Sequence, residues 1–398
     1  MKVKPTLLLI ILALMIGCSE SPKKPVPTKS ILDIAQSQYD TLYKNALPYI
    51  DTKTCMPRTI QDGKLHLVDI YDWTSGFYPG SLWYLYGLTK DDKWKSRAIA
   101  YTEKLDTIQY WEGNHDVGFM IECSYGNALK YANSKAYDSI IVRTAQSLST
   151  RFHPKAGIIQ SWEANKRWKC PVIIDNMMNL ELLFHATKIS GDSTYYDIAV
   201  THANTTMKNH FRKDFSSYHV VDYDPETGEV LQKNTHQGYS DDSAWARGQS
   251  WGLYGYTVCY RETKDPKYLE QAIHIANFIK TNPNLPDDQV PYWDYDVPKD
   301  KDTPRDASAA SILASALYEL STYMDQKEGK EYVDWADKII ASLKSPEYLA
   351  EAGSNEGFLL KHSIGSKPHE VEIDVPLNYA DYYFLEALYR NGRFEAKQ

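Results

Sequence analysis

The sequence predicts an all-α (α/α)6 toroid, a ring of six helical hairpins with loops at one mouth. Apolar residues recur at helical spacing from residue 31 onward, and short polar turns join the helices in pairs. Asp116, Asp175, Arg247 and Asp306 lie at four helix openings about 60 residues apart, a spacing typical of repeated hairpins. The first helix of each pair is richer in small, apolar and aromatic residues and the second is more charged, which indicates an inner and an outer ring.

The inner helices are predicted to begin near residues 76, 117, 176, 245, 308 and 376. A helix over residues 31–47 would pair with the last of them and close the ring, giving one catalytic domain over residues 31–394. Residues 157–174 and 218–239 break the helical pattern with β-branched residues and Gly turns. We expect loops or hairpins there, at the mouth of the ring, where loops on a rigid scaffold commonly carry function.

Composition narrows the class of partner. The net charge of -8 argues against nucleic acid. The 31 Tyr and 10 Trp suit a carbohydrate cleft, because aromatic faces stack on sugar rings, although packing between helices explains many of the Tyr equally well. A phosphate-binding Gly-rich loop, a His-Glu-x-x-His motif and a nucleophile elbow are all missing from the sequence, so we expect neither a metal nor an organic cofactor.

The N-terminus is typical of a targeting segment. Lys2 and Lys4 precede an apolar run over residues 7–16, and residues 1–18 resemble a bacterial lipoprotein signal in which Cys18 becomes the lipidated N-terminus. Residues 19–30, rich in Pro and Lys, predict a flexible tether. We therefore expect an exported lipoprotein, periplasmic or on the cell surface, that meets the membrane only through its lipid. The alternative is an ordinary signal peptide with an incidental Cys.

Export would permit disulfides among the four further cysteines, which are Cys55, Cys123, Cys170 and Cys259. A core as large as this one needs no disulfide.

Asp116 and Asp175 are the candidate catalytic residues. Two carboxylates at matching ends of neighbouring inner helices can approach closely, and their repulsion would separate their pKa values and leave one of them protonated. The alternative is that both are ordinary helix N-caps, since Asp is favoured there and the helix dipole then lowers its pKa.

Arg247 and Trp251 are four residues apart and share one helix face. An inward arginine needs an anionic partner, which is either a substrate carboxylate or a structural acid such as Asp241 or Asp242. Further candidates are an aromatic wall at a helix start or in a mouth loop and polar groups for sugar hydroxyls: Trp73, Trp162, His219 and Gln237.

Four motifs in order resemble glycoside hydrolase family 88, the unsaturated glucuronyl hydrolases. They are Trp-Thr-Ser-Gly-Phe at 73–77, His-Asp-Val-Gly-Phe at 115–119, Asp-Asn-Met-Met-Asn-Leu at 175–180 and Asp-Ser-Ala-Trp-Ala-Arg-Gly-Gln-Ser-Trp-Gly at 242–252. The resemblance extends over about residues 31–394 and is specific because all four motifs occur together.

The resemblance implies hydration of a vinyl ether. Enzymes of this family remove the 4,5-unsaturated uronic acid that polysaccharide lyases leave at the non-reducing end of glycosaminoglycan oligosaccharides. Asp175 matches the general acid/base that protonates C4 and activates a water for C5, and Asp116 matches the helper carboxylate. The remaining matches are substrate-cleft positions: Trp73, Trp162, His219, Gln237, Arg247 and Trp251.

Residues 362–367 resemble the segment in which some family members hold a sulfated amino sugar. Ser363, Ser366 and Lys367 would contact the sulfate, and the alternative is a surface turn with a solvated lysine. The choice among chondroitin, hyaluronan and heparin fragments stays open.

Two other functions remain possible at this stage. An inverting glycosidase on the same toroid would use Asp175 and Asp306 on either side of a water and cleave saturated glycosides. A non-catalytic glycan-binding lipoprotein would capture oligosaccharides with its tryptophans and would keep binding after Asp175→Asn.

Overall fold

The computed structural model describes residues 30–132 and 134–395. The predicted signal peptide, the lipidation site Cys18 and the tether up to residue 29 lie outside the described residues. Within the described part of the chain, every helix is too short or too polar to cross a membrane.

Helices make up the body of the protein. In chain order they are α1 (Ile31–Ala46), α2 (Phe77–Thr89), α3 (Asp92–Thr102), α4 (Val117–Ile121), α5 (Asn127–Leu129), α6 (Lys135–Ser149), α7 (Leu180–Ser190), α8 (Ser193–Asn209), α9 (Ala246–Thr263), α10 (Pro266–Thr281), α11 (Ala307–Ser321), α12 (Gln326–Leu343) and α13 (Asn378–Glu395). A π-helical turn, Glu122–Gly126, joins α4 to α5, and short 3-10 turns occupy Leu47–Tyr49, Glu103–Tyr110, Ile174–Asn179, Asn355–Gly357 and Lys367–His369.

The first helices of the hairpins form a closed inner ring. Going round it, α2, the α4–α5 pair, α7, α9, α11 and α13 each pack against the next, and α13 packs against α2. The N-terminal helix α1 joins the seam as predicted, since the Tyr39 hydroxyl donates to Asp381 of α13 over 3.4 Å. The predicted order of inner helices is therefore confirmed.

Burial separates inner from outer helices. In α11 every residue except Glu319 is buried, so the helix carries small and apolar side chains on all sides. Its partner α12 buries one stripe, Tyr332, Trp335, Ile339 and Leu343, at a spacing of three and four residues. The stripe faces α11 and the charged remainder of α12 faces water.

Small antiparallel sheets lie outside the helical pattern. The strands are β1 (Thr54–Gln61), β2 (Lys64–Asp69), β3 (Phe152–His153), β4 (Ile158–Ile159), β5 (Pro171–Ile173), β6 (Val220–Tyr223), β7 (Val230–Asn234), β8 (Ser363–Ser366) and β9 (Val371–Val375). They pair as β1–β2, β3–β4, β5–β6–β7 and β8–β9. The predicted irregular segments 157–174 and 218–239 supply β4 to β7, which confirms the prediction of hairpins there.

The helix openings differ from the prediction in one respect. Asp306 caps α11 with its side chain, which accepts from the Ser308 backbone N–H over 3.0 Å. Asp116 precedes α4 without a side-chain capping bond, and Asp175 lies inside the 3-10 turn Ile174–Asn179. The capping alternative is therefore wrong for Asp116 and Asp175, whose carboxylates are not used to satisfy helix N–H groups.

The four described cysteines are buried free thiols: Cys55, Cys123, Cys170 and Cys259.

The close approach of α2 to the chain at Met120 gives a test of the ring packing. A Cβ at Gly76 would lie 2.3 Å from the Met120 carbonyl oxygen and 2.7 Å from its Cα. Because the obstruction is backbone, we expect Gly76→Ala to lower the free energy of unfolding by about 1–3 kcal/mol in a denaturant titration. Gly392→Ala, at a helical position with open space around it, is the control and should cost nothing. Equal stability of the two variants would contradict the packing.

Candidate active site

Two sequence motifs meet through one asparagine. Asn179, in the turn before α7, accepts a hydrogen bond from the Phe119 backbone N–H over 2.8 Å. Gly118 permits this approach, because a Cβ there would lie 2.6 Å from the Asn179 Cα. The contact joins residues 115–119 to residues 175–180 and thereby brings the carboxyl groups of Asp116 and Asp175 into one site.

Asp116 is faced by a neutral histidine. The His115 Nε2 lies 3.2 Å from Asp116 Oδ1, and the Asn179 Nδ2 donates to His115 Nδ1 over 3.4 Å. The acceptor role of Nδ1 places the imidazole hydrogen on Nε2, toward the carboxyl group. Burial lowers the pKa of His115 to about 4, so the ring is neutral at neutral pH.

Asp116 holds a proton near neutral pH. Burial, followed by the negative charge of Asp175, raises the pKa of Asp116 to about 8. The expectation that like charges leave one of the two carboxyl groups protonated therefore agrees with the geometry, although the side chain of Asp116 keeps 13% exposure to the cleft.

Sheet pairing sets a second histidine against Asp175. The Ile174 backbone N–H donates to the His219 carbonyl over 3.1 Å at the end of the β5–β6 ladder. The His219 Nε2 then lies 3.6 Å from Asp175 Oδ2. Its Nδ1 accepts from the backbone N–H groups of His236 and Gln237 over 3.1 and 3.0 Å. Those two bonds fix the tautomer with the hydrogen on Nε2, directed at the acid.

The facing atoms of this second pair are poised for a ligand. Asp175 Oδ2 and His219 Nε2 are buried and have no hydrogen-bond partner within the described chain. A buried polar atom left in this state costs free energy, about 1–3 kcal/mol, that a water or a sugar hydroxyl removes. The site can therefore accept an oxygen between a carboxylate and an imidazole N–H.

Two half-buried tryptophans line the site, as the sequence predicts. The ring of Trp73 packs 5.8 Å from Phe119 and 5.0 Å from Tyr379. Trp162 packs 5.4 Å from Trp168 and 5.6 Å from the His236 ring, on the side of the site that the β5–β6–β7 sheet forms. Gln237 lies in the same wall and donates to the Gly365 carbonyl over 3.1 Å.

Arg247 and Trp251 lie deeper than the sequence predicts. Arg247 is 1% exposed and pairs with Asp306 over 2.9 Å, so the expected structural partners Asp241 and Asp242 are wrong. It also donates to the Gly365 carbonyl over 2.7 Å. Trp251 is fully buried between Phe119 and Tyr383, with ring distances of 5.2 and 5.3 Å. Both side chains lie behind the exposed wall, and their contact with substrate stays a prediction.

The predicted sulfate-binding segment forms β8 and the turn after it. Ser363 is fully buried. The Ser366 Oγ lies 2.7 Å from His369 Nδ1, and Lys367 pairs with Glu370 over 2.7 Å at the surface. The structure thus places a histidine, which the sequence analysis did not select, beside Ser366.

Several site residues escaped the sequence analysis. They are His115, Gly118, Asn179, Trp168, His236 and His369. The first three were visible in the motifs that suggested the family. The signal for His236 was its place beside Gln237, whereas His369 reaches the site only through the β8–β9 turn.

The opposite end of the ring carries a different cavity, of about 560 Å³, lined by the C-terminal parts of the inner helices. Its charges neutralise one another: Arg261 contacts Glu181, Glu262 and Glu319, and Arg390 contacts Glu319 and Glu386. We therefore place the chemistry at the N-terminal ends.

Among residues 30–132 and 134–395, we find no cluster of three or more acids, histidines or cysteines suited to a metal ion.

The chain is similar to known proteins over most of its length. The model of Glycosyl Hydrolase Family 88 matches residues 52–394. An unsaturated glucuronyl hydrolase of Formosa agariphila is 49% identical over 328 residues, which cover 82% of this chain and 81% of that protein. Another, from Bacillus sp. strain GL1, is 33% identical over 348 residues, covering 84% and 90%. A crystal structure of an unsaturated glucuronyl hydrolase specific for heparin has a TM-score of 0.86 and 48% identity, covering 91% of this chain and 98% of that one.

The raised pKa of Asp116 predicts a pH-dependent gain in stability for Asp116→Asn. The ordinary pKa is 3.8 and the folded-state value is about 8, so between these the folded protein binds more protons than the unfolded chain. The wild type therefore loses stability as pH rises through this window, and the variant, which mimics the protonated acid, does not. Urea titrations from about pH 5 to pH 8 should show the difference in unfolding free energy widening with pH. Parallel curves would contradict the buried carboxyl pair.

Proposed function

Because this chain belongs to glycosyl hydrolase family 88, we propose that it removes 4,5-unsaturated uronic acid from the non-reducing end of lyase-generated glycosaminoglycan oligosaccharides. The observation that carries the proposal is the buried pair Asp116 and Asp175, which holds one proton and is faced on both sides by imidazole N–H groups. Hydration of a vinyl ether needs one proton donor that becomes a base, and this pair supplies it.

The proposed reaction returns the acid to its starting state. The proton of Asp116 first passes to Asp175, which gives it to C4 of the double bond, and positive charge develops at C5 and the ring oxygen. The ionised Asp175 then takes a proton from a water, whose oxygen bonds to C5. The hemiketal opens, and the hemiacetal left at C1 releases the remaining sugar as an alcohol. One water is consumed, and no metal or organic cofactor takes part in these steps.

The surrounding groups favour an acidic substrate. Before the reaction the proton lies on Asp116, so this carboxyl group is neutral and does not repel the arriving uronic carboxylate. Helix α4 and the turn before α7 both begin at this site, where the helix dipole favours negative charge. His219 Nε2–H is directed at Asp175 and is placed to hold the attacking water or a sugar hydroxyl.

The two other functions are less well supported. An inverting glycosidase would need Asp306 at the cleft, but this carboxylate is fully buried, caps α11 and pairs with Arg247. A non-catalytic binder would not need a carboxyl pair with a raised pKa, which is costly to bury and typical of catalytic sites.

Among glycosaminoglycan fragments we place unsaturated heparin disaccharides first, because the heparin-specific neighbour shares 48% of its sequence with this chain.

The proposal predicts loss of the ultraviolet absorbance of the conjugated enol-carboxylate when protein meets unsaturated heparin or chondroitin disaccharide. We expect Asp175→Asn to slow this loss by at least about 100-fold, because it removes the proton donor and base. The matched control Asp62→Asn, in the exposed β1–β2 turn, should leave the rate unchanged. Unchanged absorbance with wild type on every unsaturated substrate, or equal rates for wild type and Asp175→Asn, would refute the mechanism.

We also propose that the chain is exported and anchored to a membrane through lipid on Cys18, on the strength of the charged, apolar and Gly-Cys order of residues 1–18. Growth with a clickable fatty acid should label the wild type, and Cys18→Ser should abolish the label because it removes the acylated thiol. Ser21→Ala is the control and should stay labelled. A labelled Cys18→Ser protein, or an unlabelled wild type, would exclude the anchor.

A further inference from the structure

Two histidines from separate segments stack at the rim of the active site. His236 follows β7, and His369 ends the 3-10 turn between β8 and β9. Their ring centroids are 4.3 Å apart and their planes meet at 50°. His236 is half-buried against Trp162, whereas His369 is exposed. The pair therefore belongs to the open wall of the cleft and is accessible to a ligand.

One side chain, His219, separates the His236–His369 pair from the catalytic acid Asp175. The backbone N–H of His236 donates to His219 Nδ1, and the two rings lie 6.4 Å apart at 23°. His219 in turn faces Asp175 over 3.6 Å. A sugar bonded to the uronic acid at Asp175 and stacked along Trp162 would thus pass the His236–His369 pair.

The ring nitrogens have unused hydrogen-bonding capacity. Neither nitrogen of His236 bonds to any residue in the described part of the chain, and the Ser366 hydroxyl occupies only Nδ1 of His369. The nearby ammonium group of Lys367 is engaged by Glu370. An anion arriving here would therefore find imidazole groups before it found the lysine.

Charged and titratable groups of both signs face His236. Arg167, which also contacts Asp241 over 3.5 Å, and the His219 ring face it from the β5 and β6 segments, and Asp175 is the acid that faces it. Burial, then His219 and His369, lower the pKa of His236 to about 4, so the ring is neutral while the cleft is empty. A bound anion stabilises the charged imidazolium and raises this pKa again.

We propose that His236 and His369 form an anion site for a sulfate ester on the sugar next to the uronic acid, and that the site takes up a proton when it binds this group. The inference rests on the proposed function and goes beyond it by naming the residues and the condition for sulfate recognition. Since binding brings a proton with it, preference for the sulfated substrate increases as pH falls. Ser366 supports His369 in either protonation state, because a hydroxyl both donates and accepts.

The test compares sulfated and unsulfated forms of one unsaturated disaccharide from about pH 5 to pH 7.5. The ratio of their kcat/KM values cancels the pH dependence of the shared chemistry. For the wild type we expect this ratio to rise by up to about tenfold per unit decrease in pH, the limit for uptake of one proton. His369→Gln should flatten the ratio. His274→Gln, an exposed histidine on the outer helix α10, is the matched control and should behave as the wild type.

A ratio that does not change with pH in the wild type overturns the inference, as does a ratio that still rises in both His369→Gln and His236→Gln. Absence of hydrolysis on both substrates would instead overturn the proposed function. Calorimetry then tests separately whether the anion site exists. Asp175→Asn protein is titrated with the sulfated disaccharide in two buffers of different ionisation enthalpy. Proton uptake that disappears with His369→Gln supports the site, and uptake that is zero or independent of His369 refutes it.

Discussion

The contact of Asn179 with the start of α4 holds the active site together. Its side-chain carbonyl binds the Phe119 N–H while its amide group faces His115, so one residue fixes both the backbone and the imidazole beside Asp116. Gly118 makes the approach possible. Two acidic side chains are thereby buried in one place, an arrangement that is unfavourable by itself. It is tolerated because Asp116 keeps its proton near neutral pH and because the His115 ring directs its N–H at this carboxyl group.

A ring of parallel inner helices has two electrically different ends. The N-terminal ends carry the positive pole of the helix dipoles and collect the carboxyl pair, the histidines and the aromatic walls. The C-terminal ends surround a cavity in which arginines and glutamates compensate one another. An anionic sugar is therefore attracted to only one end, and the other end contributes stability through buried ion pairs. The direction of the helices thus determines where an acidic substrate can bind.

Backbone hydrogen bonds, not acidic side chains, orient His219. The β5–β6 pairing carries it to Asp175, and two N–H groups of the turn after β7 occupy its Nδ1. Because Nδ1 accepts both bonds, the ring hydrogen lies on Nε2 and is directed at Asp175. The same turn presents His236 to the cleft, so a single loop fixes one tautomer and supplies the next side chain outward.

The sequence by itself determined the ring and its inner and outer helices, because these depend on local periodicity, and its contiguous motifs singled out Asp116, Asp175 and Trp73 as candidates. Tertiary structure decided what depends on contacts between distant segments. The partner of Arg247 is Asp306, 59 residues away, instead of the neighbouring Asp241. Trp251 is buried because its helix, α9, packs with this face toward the inside of the ring. His236 meets His369 only because two separate hairpins converge, and no local sequence pattern encodes that contact.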